Sequence, residues 1–129
     1  MGIFDRVFGK RDQTAEQKAQ LPWIPLESLA QLETINELSQ ERPQVILKHS
    51  STCGISRVVL KMFKDSYDIN WDCDFYFLTI QSHRDISNSI AEQFGIRHES
   101  PQLLVIKNGE VTFHTSHGGI ADTNLGDKL

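Results

Sequence analysis

Val45-Ile46-Leu47-Lys48-His49-Ser50-Ser51-Thr52-Cys53-Gly54-Ile55-Ser56 is the segment on which the reading of this chain turns. Residues 45–47 form a continuous apolar run rich in β-branching, too short for a helix and suited to a central parallel strand buried on both faces. That strand delivers the chain directly to Ser51-Thr52-Cys53. Beyond it, Val58, Val59, Met62 and Phe63 recur at helical spacing, residues 68–71 break the pattern, and residues 75–80 read as the next strand. One β-α-β unit results, and its two strands are expected to be parallel with a right-handed crossover.

Working outward, Trp23-Ile24-Pro25 reads as a short edge strand, because proline is tolerated at an edge but not in a central ladder. Ser28 and Gln31 form a capping box before a helix whose stripe is Leu29, Leu32, Ile35 and Leu38, and Pro43 ends the pattern. On the other side, Ser82 with Asp85 predicts a helix start, Ile86, Ile90 and Phe94 its apolar face, and Gly95 its end. Residues 103–106 and 111–113 flank Asn108-Gly109, the signal for a type I′ hairpin. A last helical turn is expected from Ile120 to include Leu125. Parallel units followed by an antiparallel hairpin give the thioredoxin order. The fold class is therefore α/β, thioredoxin-like, with a central mixed sheet of four to five strands flanked by helices. Residues 1–20, polar apart from a small apolar set of Ile3, Phe4, Val7 and Phe8, are expected to be a flexible N-terminal tail, and 21–129 the thioredoxin-like domain.

Composition narrows the function. The net charge of -4 provides no basic field for nucleic acid or anionic lipid. No stretch is apolar enough for a membrane span, and charge interrupts the N-terminal residues too early for a secretory signal. The 2 cysteines, Cys53 and Cys73, are too few for a disulfide scaffold and lack metal-type C-x-x-C spacing. A reducing, cytoplasmic setting is expected.

In a sheet of this kind reactive groups gather beyond the carboxyl ends of the parallel strands, where helix N-termini aim free N–H groups. Cys53 falls at that place, where helix dipole and backbone donors favour the thiolate. Cys53-Gly54-Ile55-Ser56 carries serine where a dithiol motif would carry its second cysteine. Cys53 can therefore attack a disulfide, but release of the resulting mixed disulfide needs an outside thiol; Ser56 is left to hydrogen-bond the thiolate. Cys73, at the start of a strand, is expected about 20 Å away in a packing role. Ser100-Pro101 is expected to be a cis-proline turn facing the cysteine, leaving backbone groups for a peptide-like partner. His117-Gly118-Gly119 precedes a helix and exposes N–H groups suited to a carboxylate. His49, Lys48 and Arg57 flank the cysteine as candidate attractors of an anionic thiol. His114 and His117 lack further ligands at structural-site spacing, so no metal is expected.

The segment Lys48-His49-Ser50-Ser51-Thr52-Cys53-Gly54-Ile55-Ser56, together with Trp23, residues 84–91, His98-Glu99-Ser100-Pro101-Gln102 and Ser116-His117, resembles the monothiol bacilliredoxins, the YtxJ-like family of the bacillithiol system. The resemblance runs over residues 22–120. It implies removal of bacillithiol, a low-molecular-weight thiol co-substrate, from bacillithiolated client proteins. Cys53 would attack, Thr52, Gly54 and Ser56 would support its thiolate, Pro101 would shape the substrate edge, and His49, Ser100, His117 and Gly118 would contact the cofactor. Gly54 stands where the family pattern has proline and supplies an extra N–H. Two other readings stay open. Cys-Gly-x-Ser is also similar to the monothiol glutaredoxins, which hold an iron–sulfur cluster between subunits, and a non-catalytic thioredoxin-fold adaptor would not need Cys53.

Overall fold

The computed structural model describes residues 21–129; the expected tail and its apolar set lie outside the described residues. The strands and helices run β1 (Trp23–Pro25), α1 (Leu29–Leu38), β2 (Gln44–His49), α2 (Gly54–Ser66), β3 (Asp74–Thr79), α3 (Arg84–Phe94), β4 (Gln102–Lys107), β5 (Glu110–Ser116) and α4 (Gly118–Ala121), followed by a 3₁₀ turn over Leu125–Lys128. The expected last helix is thus two short pieces.

The five strands lie in the order β1-β3-β2-β4-β5. β2 and β3 are parallel in the register Gln44↔Asp74 to His49↔Thr79, and β1 is parallel to β3 on its outer side, where Pro25 needs no second neighbour. β4 runs antiparallel between β2 and β5. Asn108 and Gly109 both take positive φ, 52° and 77°, as the type I′ turn requires. The hairpin tip docks on the end of α1, where Asn108 N–H donates to the Ser39 carbonyl at 2.8 Å and Gly109 N–H to Ser39 Oγ at 2.9 Å.

Every residue of β2 is buried, because the sheet is covered on both sides. On one face Ile46, Tyr76, Leu78 and Leu104 pack beneath α1 and α3 through Leu32, Ile35, Ile86 and Ile90. On the other, Val45, Leu47, Phe75 and Leu103 pack beneath α2 through Val59 and Phe63, with Ile120 and Leu125 closing the end. Trp23 stacks on Phe75 at 4.5 Å and meets Tyr67 edge-on at 5.6 Å, joining the β1 edge to α2.

Three expectations change. Helix α3 is capped by His83, not Ser82, whose N–H closes a turn onto the Thr79 carbonyl at 3.2 Å. Leu29 is exposed, since α1 buries Leu32 and Ile35 only. Val58 and Met62 also point outward, at 60% and 52% exposure. The buried face of α2 is Ser56, Val59 and Phe63, one position out of phase with Ile55, Val58 and Met62.

Candidate functional site

Cys53 lies just past the carboxyl end of β2 as the N-cap of α2, with φ −96° and ψ 122°, and is half-buried. Its carbonyl opens the helix by accepting from Arg57 N–H at 3.1 Å, and its own N–H turns back to the Ser50 carbonyl at 3.3 Å. Among the described residues the N–H groups of Gly54, Ile55 and Ser56 have no acceptor, as expected of a first helical turn. A thiolate at the N-cap is the natural recipient of these donors. Gly54, at the first helical position, has open space where a Cβ would stand.

The loop that presents the sulfur is fastened from two sides. Ser56 is fully buried and its Oγ accepts from Ser50 N–H at 3.1 Å, so this hydroxyl braces the loop; no bond joins it to Cys53 among the described residues. Gln81, just beyond β3, is the second fastening. Its Nε2 donates to Ser50 Oγ at 2.7 Å and to Thr52 Oγ1 at 3.0 Å, while its Oε1 accepts from Ser51 N–H at 3.2 Å. Thr52 thus serves the loop rather than the sulfur directly. Gln81 did not emerge from the sequence reading, yet its place was available there: the carboxyl end of β3 must lie beside that of β2 in a parallel pair.

His49 ends β2 with its ring 5.4 Å from that of Phe77 and its Nδ1 buried without a partner. Burial first, then the nearby Lys64 and Arg57 cations, push its pKa below the usual value, so it is neutral around neutral pH. Lys48 departs from expectation. Side chains alternate along a strand, so Lys48 follows Ile46 to the far face of the sheet, fully buried beneath α3. Its Nζ donates to the Ser87 carbonyl at 3.4 Å and meets His98 Nδ1 at 3.3 Å, where Ser87 Oγ also lies at 3.0 Å. Burial lowers the Lys48 pKa to about 8. His98 is held low by its own burial and by Lys48 and Arg84, against a smaller upward pull from Glu99. Lys48 is therefore not an attractor beside Cys53. Arg57, one helical turn along α2, is exposed.

The Ser100–Pro101 bond is cis, as expected. The Pro101 carbonyl is already occupied by His117 N–H at 3.0 Å, which ties the proline turn to the start of α4. Among the described residues the Ser100 backbone makes no hydrogen bond, and Ser100 Oγ is buried without a partner. His117 takes φ 56° and places its Nδ1 4.0 Å from Glu99 Oε1; Gly118 beside it faces open space. A small cleft lined by His49, Ser56, Val59, Leu60, Pro101 and Ile120 brings the end of β2, the first turns of α2 and the proline turn together.

Cys73 precedes β3 at the amino end of the sheet, whereas Cys53 follows the carboxyl end of the parallel β2. The six-residue strands separate them by roughly 20 Å. Burial pushes the Cys73 thiol up, partly offset by a hydrogen bond with the Tyr67 side chain, and its neighbours are the apolar side chains beneath α2. This is a packing cysteine. Among the described residues no three His, Cys, Asp or Glu side chains converge as metal ligands, and no helix is long and apolar enough to cross a membrane.

Comparison with known proteins agrees with this geometry. A solved structure described as a candidate oxidoreductase with a thioredoxin fold is 35% identical, covers 82% of this chain and 92% of its own, and superposes with a TM-score of 0.71. The thioredoxin of Malassezia sympodialis is 18% identical over 80% of this chain and 85% of its own, with a TM-score of 0.61. Thioredoxin O2 of Arabidopsis thaliana is 17% identical over 84% of this chain and 94% of its own, with a TM-score of 0.64. The latter two share the fold at low identity. The family described as Monothiol bacilliredoxin BrxC matches residues 24–125, which span β1 to the 3₁₀ turn. A thioredoxin fold, one cysteine at the N-cap of α2 and serine in place of a second thiol thus agree with that match: the chain belongs to the monothiol bacilliredoxin family.

Proposed function

We propose that this protein removes bacillithiol from protein mixed disulfides through Cys53, in the cytoplasm, where thiols are kept reduced. The observation that carries the reading is a half-exposed cysteine at a helix N-cap whose motif partner, Ser56, is a buried hydroxyl. Such a sulfur attacks but cannot resolve.

The Cys53 thiolate attacks the bacillithiol sulfur of the client mixed disulfide. The client sulfur leaves as a thiolate and is thereby reduced, and a Cys53–bacillithiol disulfide forms. A second bacillithiol thiolate then attacks the bacillithiol sulfur of that disulfide. Cys53 leaves as thiolate and bacillithiol disulfide, the oxidised product, departs. The N–H groups of Gly54, Ile55 and Ser56 favour the thiolate as nucleophile and again as leaving group. The unpartnered Ser100 Oγ and His49 Nδ1, the Ser100 backbone, and Gly118 and His117 beside Pro101 support contacts to the polar body of the thiol.

Intact-mass analysis tests the reading. Wild type, Cys53→Ser and Cys73→Ser are each incubated with bacillithiol disulfide, then with a bacillithiolated client and free bacillithiol. An adduct on wild type and Cys73→Ser but not on Cys53→Ser, with the client thiol restored, is the expected result. Absence of the Cys53 adduct, or adducts confined to Cys73, refutes it.

A further inference from the structure

The outward face of α2 carries two parallel rows that the chemistry at Cys53 does not use. Ile55, Val58 and Met62 recur at i, i+3 and i+7 and are 59%, 60% and 52% exposed. An apolar row about 10 Å long therefore runs from the first turn of the helix, beside Cys53, toward its end. Arg57, Lys61 and Lys64 form a second exposed row at i, i+4 and i+7. Lys61 meets Asp65 at 3.7 Å in a solvent-exposed pair of little strength. Among the described residues Arg57 and Lys64 have no carboxylate within ion-pair distance; Lys64 Nζ instead lies 5.9 Å over the Trp23 ring. This local excess of positive charge stands on a chain whose net charge is -4.

We propose that this face is a docking surface for the protein that carries the blocked thiol, and that it selects clients in which apolar side chains bordered by carboxylates flank the modified cysteine. The inference rests on the attack by Cys53 described above. Charge complementarity chooses the occupant. A second copy of the chain would bring the same cationic row against itself if it paired face to face, which is unfavourable. Residues 1–20 carry Arg6, Lys10, Arg11 and Lys18 against Asp5, Asp12 and Glu16, and so offer no acidic excess. An acidic-apolar client segment matches both rows at once, and the end of the rows beside Cys53 places its disulfide at the sulfur.

Two peptides with one cysteine each, blocked as the mixed disulfide with 2-mercaptoethanol, test this without bacillithiol. One has Leu and Glu flanking the cysteine, the other Leu and Lys. The second-order rate with wild type is expected to favour the acidic peptide by about tenfold at low ionic strength, and the preference to shrink below about twofold at ~1 M salt. Lys61→Glu/Lys64→Glu is expected to erase the preference, and Val58→Ser/Met62→Ser to slow the acidic peptide about fivefold. Both variants should react with neutral 2-hydroxyethyl disulfide as wild type does and keep its circular dichroism. Equal rates for the two peptides, or variants slowed equally toward the neutral disulfide, overturn the inference. So does a photo-crosslinker at position 58 that captures a second copy or residues 1–20. Binding to phosphatidylglycerol vesicles without a peptide preference would assign the face to a membrane and also overturn it. An acidic preference combined with failure to release a bacillithiol-blocked client would refute the bacillithiol reading and leave the docking surface standing.

Discussion

Replacing Lys48 with methionine should stabilise the protein at neutral pH, and the gain should shrink as the solution becomes alkaline. Lys48 is fully buried, and burial lowers its pKa from 10.5 to about 8. Below pH about 8 the ammonium is charged in both folded and unfolded chains, and the fold bears the whole desolvation penalty. Between about 8 and 10.5 the unfolded chain holds a proton that the folded chain has released, so this group makes stability rise with pH. That separation is worth about 3 kcal/mol. Methionine removes the charge and leaves the other partners matched, because Ser87 Oγ still meets His98 Nδ1 at 3.0 Å. Lys48→Met is thus expected to gain about 1–3 kcal/mol at pH 7, after the loss of two hydrogen bonds, and to lose at least about 1 kcal/mol of that advantage by pH 10. Tyr67 and Cys73, both pushed upward by burial, work in the opposite direction at high pH, so the difference between variant and wild type is the useful quantity. Urea unfolding of both proteins across this range measures it. Parallel curves, or a variant less stable than wild type at pH 7, would refute the reasoning.

Three further outcomes follow from the site and its support. Gly54→Pro should fold normally, since the first helical position tolerates proline and Cys53 already holds extended φ and ψ. It should slow iodoacetamide alkylation of Cys53 at pH 7 by about threefold to tenfold through loss of one N–H; an unchanged rate would remove that donor from the account. Gln81→Ala should cost about 1 kcal/mol of stability, because two of its three partners, Ser51 and Thr52, are exposed, while lowering exchange through Cys53 severalfold. A variant with full exchange activity would show that the clamp on residues 50–52 is dispensable. Phe63→Ala should cost about 3–5 kcal/mol in denaturant unfolding, since Phe63 is fully buried against Trp23 and Phe75.

The elements were legible because their periods differ: alternation or short apolar runs in the strands, fourfold spacing in α3, and a turn dipeptide between β4 and β5. Cys53 was legible because one β-α-β unit fixes where a strand ends and a helix begins. Lys48 was misread because the apolar run stops at Leu47, while the strand continues through His49 under cover on both faces. Its partner His98 lies 50 residues away, beyond any local pattern. The phase of α2 was ambiguous for a different reason. Ile55, Val58 and Met62 make as good a stripe as the true one, and the true one begins with a polar residue, Ser56, whose hydroxyl is consumed by the loop it braces. Gln81 was missed because nothing in its own neighbourhood marks it; only the adjacency of β2 and β3 does.

The stacking of Trp23 on Phe75 and Phe77 has an optical consequence. Both tryptophans of the chain, Trp23 and Trp71, pack into the α2 side of the sheet, and the α1–α3 side holds none. Intrinsic fluorescence therefore watches one half of the molecule, the half that contains α2, which Cys53 caps, and the ring contact from Phe77 to His49. The opposite half is dark to it. An emission change during a titration at Cys53 would register on a native internal gauge, and a melt followed by fluorescence would part company with one followed by helical ellipticity if the two layers came apart at different temperatures.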